Sequence, residues 1–462
     1  MTEREMIMSE DYMDIVLDYS ELGEITYPKD KYYYRNVQDE FGILYVDRTL
    51  TPSLSLTHYT YRSIPRVESL LQDEVSLERS KVFDPTALSQ SGILQVQRPP
   101  LSLTGSGVVL GFIDTGIRFN EDVFRNADGS SRILSIWDQT IQTGVPPEGY
   151  IYGSEYSNEM INRALKTPNP RQYVPSWDDI GHGTAMASVA AGSILDGGST
   201  FQGAAPNCQI VMVKLKEAKK YLRDYYFAPH DMPLYTDIDM IMAVQYLEQF
   251  AVAYRRPVVI CIGMGNNYGG HSSGTPGANF MDQTSVKRSR IVVVGGGNEG
   301  NAGHHFSGRV KEENNQNGYQ DVEIQVKEGV EGFIAELWGS LPNALAVTVR
   351  SPGGEITQHV DFRSREGRMF DFIFEDSQVQ VDYNQVEISL GLEQFVLRFS
   401  KPTPGVWTIR VESAFGNING HGWFNVWLPI YVEDKVVFLT PDPLITLTNP
   451  SNTHEVVTVS TY

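Results

Sequence analysis

Cysteine is nearly absent from this chain, which has only Cys208 and Cys261 among its 462 residues. Two cysteines cannot build the disulfide framework of a small secreted protein. Cys261 lies in an apolar run and Cys208 follows a Pro-Asn pair, so we interpret both as reduced structural thiols. This usage favours an intracellular protein over a secreted one.

Basic residues and long apolar runs are also scarce. The chain has 37 Lys and Arg against 57 Asp and Glu, a formal net charge of −20. Because that charge repels nucleic-acid phosphates and anionic lipid, we predict neither nucleic acid nor membrane as a partner. No segment approaches the roughly 18–20 apolar residues of a membrane span, and the N-terminus lacks the pattern of a secretory signal. With 41% hydrophobic residues, the composition indicates a soluble globular protein of about three domains.

Residues 1–95 are predicted to form a separate α+β unit. The alternating stretch Phe41–Asp47 predicts a strand, and Ser63–Leu71 is interpreted as a helix. The Ser-, Gln- and Pro-rich stretch from Leu88 to Pro100 predicts a linker that closes this unit.

Beyond the linker, continuous apolar runs alternate with helical patterns. The runs are Val108–Ile113, Gln209–Lys214, Pro257–Ile262 and Ile291–Val294, and the helical patterns are Gly183–Leu195 and Ile238–Arg255. Apolar runs of this kind are typical of parallel strands covered on both faces, so we predict a parallel α/β sheet. Functional residues are then expected beyond the carboxyl ends of the strands.

An all-β unit is predicted to interrupt the α/β domain. Residues 311–432 contain short alternating strands separated by Gly, Pro and Asn turns, a pattern typical of an antiparallel sandwich or jelly roll. Residues 433–462 resume the pattern of the α/β part. The α/β domain therefore comprises 96–310 and 433–462, with the all-β unit inserted.

Three polar segments carry the candidate chemistry. Asp114 follows the strand at 108–113 and is placed either to orient another group or to make an Asx-turn. His182 stands between two glycines at the start of an Ala-rich helix, which leaves little bulk around the imidazole. Asn298 follows a strand and three glycines, and its amide is suited to donate to an oxyanion or to make an ordinary turn.

In order and context, these segments resemble the subtilisin-like serine peptidases, whose triad runs Asp, His, Ser along the chain. Gln202–Asn207 resembles the family's Gly-x-Ala-Pro segment, and Ile262–Gly265 stands at its substrate-lining strand. The finer resemblance is to the Csp-type germination-specific subtilases of clostridia and their relatives. It rests on Leu103–Ile117, Ser131–Thr140 and Pro404–Val411.

The resemblance implies a fold and a mechanism. The fold would be a parallel sheet flanked by helices, with residues 1–95 as a prodomain and 311–432 as an inserted jelly roll. Asp114 would orient His182, His182 would act as general base and then general acid, and Asn298 would donate to the oxyanion. Gly263, Met264 and Gly265 would line the substrate cleft.

The activity that this family implies is that of a serine endopeptidase made as a zymogen. Its partners would be a protein or peptide substrate and its own prodomain, released by self-cleavage within 80–97. The expected location is the cytoplasm or the spore interior.

One element of the family pattern is missing. The nucleophile's segment, Gly-Thr-Ser-Met/Val-Ala, is not found in the sequence, and Asn449–Val459 looks like the family strand that precedes it. We therefore expect the chain to be a piece that stops before the catalytic serine. The alternatives are a catalytically dead subtilase that acts as a regulatory or sensor binding protein, and an enzyme made of two chains.

Other polar clusters have simpler interpretations. Asp178-Asp179 is a loop pair or an aid to calcium binding, but no Asp-x-Asp-x-Asp loop is present, so no metal or other cofactor is predicted. His304-His305 is interpreted as a solvated loop. Trp407, Trp423 and Trp427 are predicted to lie in the sandwich core.

Overall fold

The computed structural model describes residues 1–19, 25–37, 41–71, 85–194, 201–310, 318–361, 367–387, 390–415 and 422–460. The helices are α1 (Glu3–Met8), α2 (Pro85–Gln90), α3 (Ile93–Gln97), α4 (Asn158–Leu165), α5 (His182–Ala191), α6 (Lys220–Tyr226), α7 (Asp237–Tyr254) and α8 (Pro276–Ser285).

The strands of the described residues fall into five sheets. Those before the first long helix pattern are β1 (Tyr12–Asp18), β2 (Tyr32–Asn36), β3 (Phe41–Asp47), β4 (Val67–Leu70), β5 (Val109–Asp114), β6 (Ile133–Asp138) and β7 (Ser154–Ser157). Those of the middle are β8 (Gln209–Lys214), β9 (Leu234–Thr236), β10 (Val258–Ile262), β11 (Met264–Gly265), β12 (Arg290–Gly295), β13 (His305–Val310), β14 (Tyr319–Val326), β15 (Gly332–Gly339) and β16 (Leu345–Arg350). The remainder are β17 (Arg368–Phe372), β18 (Ser377–Glu387), β19 (Leu392–Ser400), β20 (Gly405–Ser413), β21 (Gly422–Trp427), β22 (Val436–Phe438) and β23 (Val457–Val459).

A seven-stranded sheet forms the centre, with strand order β23-β12-β10-β5-β8-β6-β7. Every neighbouring pair in it is parallel except β6 and β7. The four predicted apolar runs form β5, β8, β10 and β12, so the parallel α/β prediction is confirmed. Because these strands are covered on both faces, apolar residues suit nearly every position.

Two of the predicted helices are confirmed as α5 and α7. The Thr236 hydroxyl accepts from the Asp239 backbone N–H at 3.2 Å and caps the start of α7, which ends where Arg255 adopts a left-handed conformation. α5 ends sooner than predicted, since Gly192 is extended.

Two antiparallel sheets carry the all-β part, with strand orders β13-β21-β15-β19-β18-β17 and β16-β20-β14-β22. The prediction of antiparallel strands in this region is confirmed. β13 and β22 lie outside 311–432 in sequence but pair within these sheets, with β21 and β14. Trp407 and Trp427 are buried as predicted, whereas Trp423 is exposed, so that part of the prediction is wrong.

The N-terminal residues contain one confirmed strand and one wrong prediction. Phe41–Asp47 forms β3, the middle strand of the sheet β1-β3-β2. The helix predicted over 63–71 is not formed: residues 67–70 are the strand β4, paired antiparallel with β9 on one edge and β11 on the other. Pairing on both edges supplies backbone hydrogen bonds that outweigh the helical pattern of this short segment. The linker predicted over 88–100 instead contains the end of α2 and the whole of α3.

One hydrophobic cluster joins the first residues to the rest of the molecule. It includes Ile15 and Val46 from the N-terminal sheet, Leu222 from α6, and Val347 and Trp407 from the smaller antiparallel sheet. The N-terminal part therefore shares a core with the elements beside it.

Candidate active site

Asp114 and His182 meet although 68 residues separate them in sequence. Asp114 is the last residue of β5 and His182 the first of α5, and His182 Nδ1 lies 2.7 Å from Asp114 Oδ1. Their side chains are only 2% and 8% exposed. Burial lowers the pKa of His182, but the hydrogen bond and charge of Asp114, with a further contribution from Asp178, raise it overall above its ordinary value. The pair can hold a proton at the imidazole.

Asp178 organises the loop that positions His182, a role the sequence interpretation missed. Its Oδ1 accepts from the Thr115 hydroxyl at 2.8 Å and the Gly181 N–H at 2.7 Å, and its Oδ2 accepts from the Thr184 N–H and hydroxyl at 2.8 and 2.6 Å. Since Gly181, the N-cap of α5, has no side chain, this carboxylate caps the helix. An acid just ahead of a helix start was the signal that could have found it.

Gly263 lies directly against this pair. A Cβ at this position would be 2.8 Å from His182 Cε1 and 3.4 Å from Asp114 Oδ2. A side chain here would displace the imidazole, so glycine is required by close approach rather than by backbone conformation.

The predicted substrate-lining residues are occupied by the chain's own N-terminal part. β11 pairs with β4 in the register Met264 to Leu70 and Gly265 to Ser69, and the Leu71 N–H donates to the Gly263 carbonyl at 3.0 Å. The Leu71 backbone also makes a hydrogen-bond contribution that raises the pKa of His182. An extended peptide therefore lies beside the imidazole.

Asn298 is exposed at the end of the glycine-rich turn that follows β12, at the start of a short 3-10 helix. Its neighbour Glu299 is buried and accepts from Asn267 Nδ2 at 2.6 Å, and Glu299 Oε2 lies 2.6 Å from His304 Nδ1. The turn is thus anchored while Asn298 stays at the surface.

His304 and His305 are buried, so the solvated-loop interpretation is wrong. His304 Nε2 lies 2.7 Å from the Glu433 carbonyl, and His305 bonds to the Asp442 carbonyl and to Asn425 at 3.1 and 3.0 Å. Packing of β13 into the antiparallel sheet, not visible in the local sequence, removes them from water.

Comparison with protein-family models matches residues 105–348, which contain Asp114, His182 and Asn298, to the subtilase family. The chain belongs to the subtilase family. Its curated relatives include the subtilisin-like proteases SBT3.5 and SBT1.9 of Arabidopsis thaliana, 31% identical over 129 residues and 30% identical over 127 residues. These matches cover 24% and 25% of this subtilase and 16% and 17% of the relatives. The aligned part thus spans about a sixth of the length of those relatives.

Among solved structures, this subtilase is similar to the CspB protease of Clostridium perfringens. The TM-score is 0.70 at 25% sequence identity, and the match covers 82% of this chain and 73% of the CspB chain. The likeness extends well beyond the matched family region, so the two proteins share a fold that combines the parallel sheet with antiparallel sheets.

Within the described parts of this subtilase, no group of three or more His, Cys, Asp or Glu side chains could hold a metal ion. In the same residues, no helix is long and apolar enough to cross a membrane. Cys208 and Cys261 are free, and burial raises the pKa of their thiols to about 11 and about 12, which keeps both protonated.

Proposed function

We propose that this subtilase is a serine endopeptidase of the subtilisin type, made as a zymogen. The observation that carries the proposal is the buried Asp114–His182 pair beside a groove that holds residues 67–71 as an extended strand. Strand addition of this kind binds any peptide backbone, whereas pockets for side chains give specificity. The substrate class is therefore protein or peptide.

The chemistry follows from the orientation of the pair. Asp114 holds Nδ1 of His182, which leaves Nε2 to accept the proton of a serine hydroxyl and later to return it to the leaving amine. Asn298 would donate to the oxyanion of the tetrahedral intermediate; removing such a donor costs roughly 10²–10³ in rate, a figure measured on subtilisin, the family's namesake.

The N-terminal part is proposed to act as a prodomain that blocks the groove. Just before the bound strand, the fully buried Arg66 donates to the Tyr61 carbonyl at 2.6 Å and stacks on the Tyr61 ring at 3.9 Å. The Tyr61 hydroxyl in turn donates to Glu336 of β15 at 2.7 Å. The contact with Glu336 holds the segment against the antiparallel sheets, and the pairing of β4 with β9 and β11 holds it on its other side.

The test is to treat the product of the intact gene with a fluorophosphonate probe, which reacts only with an activated serine. We expect the purified protein to gain one probe mass, and a His182→Ala variant to gain none, because the base that activates the hydroxyl is removed. Absence of labelling in the native protein would contradict the proposal and favour a regulatory or sensor binding protein. The germination-specific role stays a prediction.

A further inference from the structure

Residues 67–71 occupy the groove as a substrate would. β4 pairs antiparallel with β11 through Ser69 and Leu70, and with β9 through Val67, Glu68 and Ser69. The segment is thus held between two strands, with its backbone running past the Asp114–His182 pair.

The register of this strand identifies the residue next to the imidazole. The Leu71 N–H donates to the carbonyl of Gly263 at 3.0 Å, and Gly263 is the residue that lies against His182 Cε1. The Leu71 backbone also interacts with the imidazole. Its side chain lies at the carboxyl end of β12, where Leu71 Cδ1 is 3.0 Å from the position of a Cβ on Gly295. The carbonyl of Leu71 is therefore the one presented to the base.

Three residues before Leu71, Glu68 enters a built polar subsite. The side chain is 1% exposed, and Glu68 Oε1 accepts from Asn266 Nδ2 at 2.7 Å. The orientation of that amide is fixed, because Asn266 Oδ1 accepts the Tyr268 N–H at 2.8 Å. The subsite thus presents the N–H donor of Asn266, and a side chain with an oxygen acceptor is suited to it.

The surroundings of the second oxygen of Glu68 favour a neutral side chain over an anion. Glu68 Oε2 is buried and has no hydrogen-bond partner among the described residues. The groups that face the side chain are Asp237 of α7, Asn266, and Arg66, which directly precedes β4. Burial and the charge of Asp237 raise the pKa of Glu68 well above its ordinary value, while Asn266 and Arg66 oppose this. A protonated glutamate or a glutamine keeps the oxygen that accepts from Asn266 without burying a charge.

We propose that the chain is processed at the bond after Leu71, and that the same groove selects peptides with Leu before the cleaved bond and Glu or Gln three residues before that Leu. This inference rests on the proposed endopeptidase function. The serine oxygen bonds to the Leu71 carbonyl carbon and the bond to the nitrogen of the next residue breaks. The hydroxyl proton passes through His182 to that nitrogen, and water then releases the Leu71 carboxylate.

A cleavage site after Leu71 differs from the position expected from the sequence, which is within 80–97. Residues 80–84 lie outside the described residues, and 85–97 contain the helices α2 and α3. Gln97 Nε2 donates to the Ala204 carbonyl at 2.8 Å, which anchors this stretch away from the strand-lined groove. The segment bound in the groove is therefore a better candidate for the cleavage site than residues 80–97.

The first experiment determines the N-terminus of the intact gene product and its labelling by a fluorophosphonate. We expect a labelled protein whose N-terminal residue is Gln72, and a Leu71→Met variant processed like the native chain. Leu71→Asp should be processed at least roughly tenfold more slowly, because a charge replaces the apolar side chain. A labelled protein cut elsewhere would overturn this inference and leave the proposed function standing. A labelled protein left uncut would overturn this inference and the zymogen part of the proposal, and would leave only the peptidase activity. An unlabelled and uncut protein would overturn the proposed function as well.

The second experiment tests the subsite without depending on the folding of variants. The processed protein, separated from its N-terminal fragment, is given three reporter peptides that end in Leu followed by aminocoumarin: Val-Glu-Ser-Leu, Val-Gln-Ser-Leu and Val-Lys-Ser-Leu. We expect kcat/KM for the glutamate peptide to be at least roughly tenfold higher, since lysine leaves the Asn266 donor without an acceptor. The peptide Val-Gln-Ser-Leu should match glutamate. Equal rates for lysine and glutamate would overturn the subsite assignment.

Discussion

Replacing Asp178 by alanine should loosen the start of α5 and with it the position of His182. The carboxylate is fully buried and accepts four hydrogen bonds, two from backbone N–H groups and two from threonine hydroxyls. Each hydroxyl also accepts one N–H, Thr115 from Gly183 and Thr184 from Arg118, so it keeps a hydrogen bond when the carboxylate is removed. The backbone N–H groups of Gly181 and Thr184 lose the acceptor that Asp178 provides.

The size of the effect of Asp178→Ala can be estimated from the two backbone N–H groups of Gly181 and Thr184. A buried N–H left without an acceptor costs about 1–3 kcal/mol, and Thr184 is only half-buried, so water can reach part of the gap. We therefore expect Asp178→Ala to lower the free energy of opening the first turn of α5 by about 3 kcal/mol. That energy corresponds to amide exchange roughly a hundredfold faster.

Hydrogen–deuterium exchange measured on peptides covering 181–191 provides the assay. Asp179→Ala is the matched control, because the neighbouring carboxylate is 77% exposed and 3.9 Å from Lys214. Asp179→Ala should change the free energy of opening the first turn of α5 by less than about 0.5 kcal/mol. If both variants exchange at the native rate in this region, Asp178 does not hold the helix start and the reasoning fails.

Three further outcomes are expected. Asp114→Asn should lower the pKa of His182 relative to the native chain, because burial lowers this pKa and the charge of Asp114, which raises it, is removed. An unchanged titration of the His182 ring by NMR would contradict this. Gly263→Ala should destabilise the fold by about 1–3 kcal/mol in urea unfolding, because its Cβ meets the imidazole, whereas Gly277→Ala in α8 makes only an ordinary 3.4 Å contact and should not destabilise it. Glu68→Gln should raise the melting temperature more at pH 8 than at pH 5. Because folding raises the pKa of Glu68, the stability that this residue contributes is complete below its ordinary pKa of 4.5 and is lost as pH rises through its pKa in the folded protein. An equal gain in melting temperature at both pH values would refute the argument.

The shared core changes how the N-terminal part is understood. Ile15 and Val46 pack into the same cluster as Val347 and Trp407, so release of this part would expose apolar surface on both sides. Cleavage after Leu71 alone would then leave the two pieces associated. A processed protein that elutes as one species under native conditions and as two in denaturant is the expected result.

The central sheet and the residues at its edge could be predicted from the amino-acid sequence. Continuous apolar runs are suited only to elements covered on both faces, so β5, β8, β10 and β12 could be placed without coordinates. Asp114 and His182 follow from their positions at a strand end and a helix start, because the carboxyl ends of parallel strands gather on one side of a sheet.

Features that depend on distant partners emerged only in the folded chain. Residues 67–70 have a helical pattern but become a strand because β9 and β11, far along the chain, offer hydrogen bonds on both edges. Asp178 acquires its role only when β5 and α5 bring Thr115 and Thr184 around it. The same holds for His304, whose Nε2 lies 2.7 Å from the carbonyl of Glu433, 129 residues along the chain. The local sequence determines which secondary structure a segment prefers. Strand pairing and burial can override that preference, and they depend on residues that only the folded chain brings close.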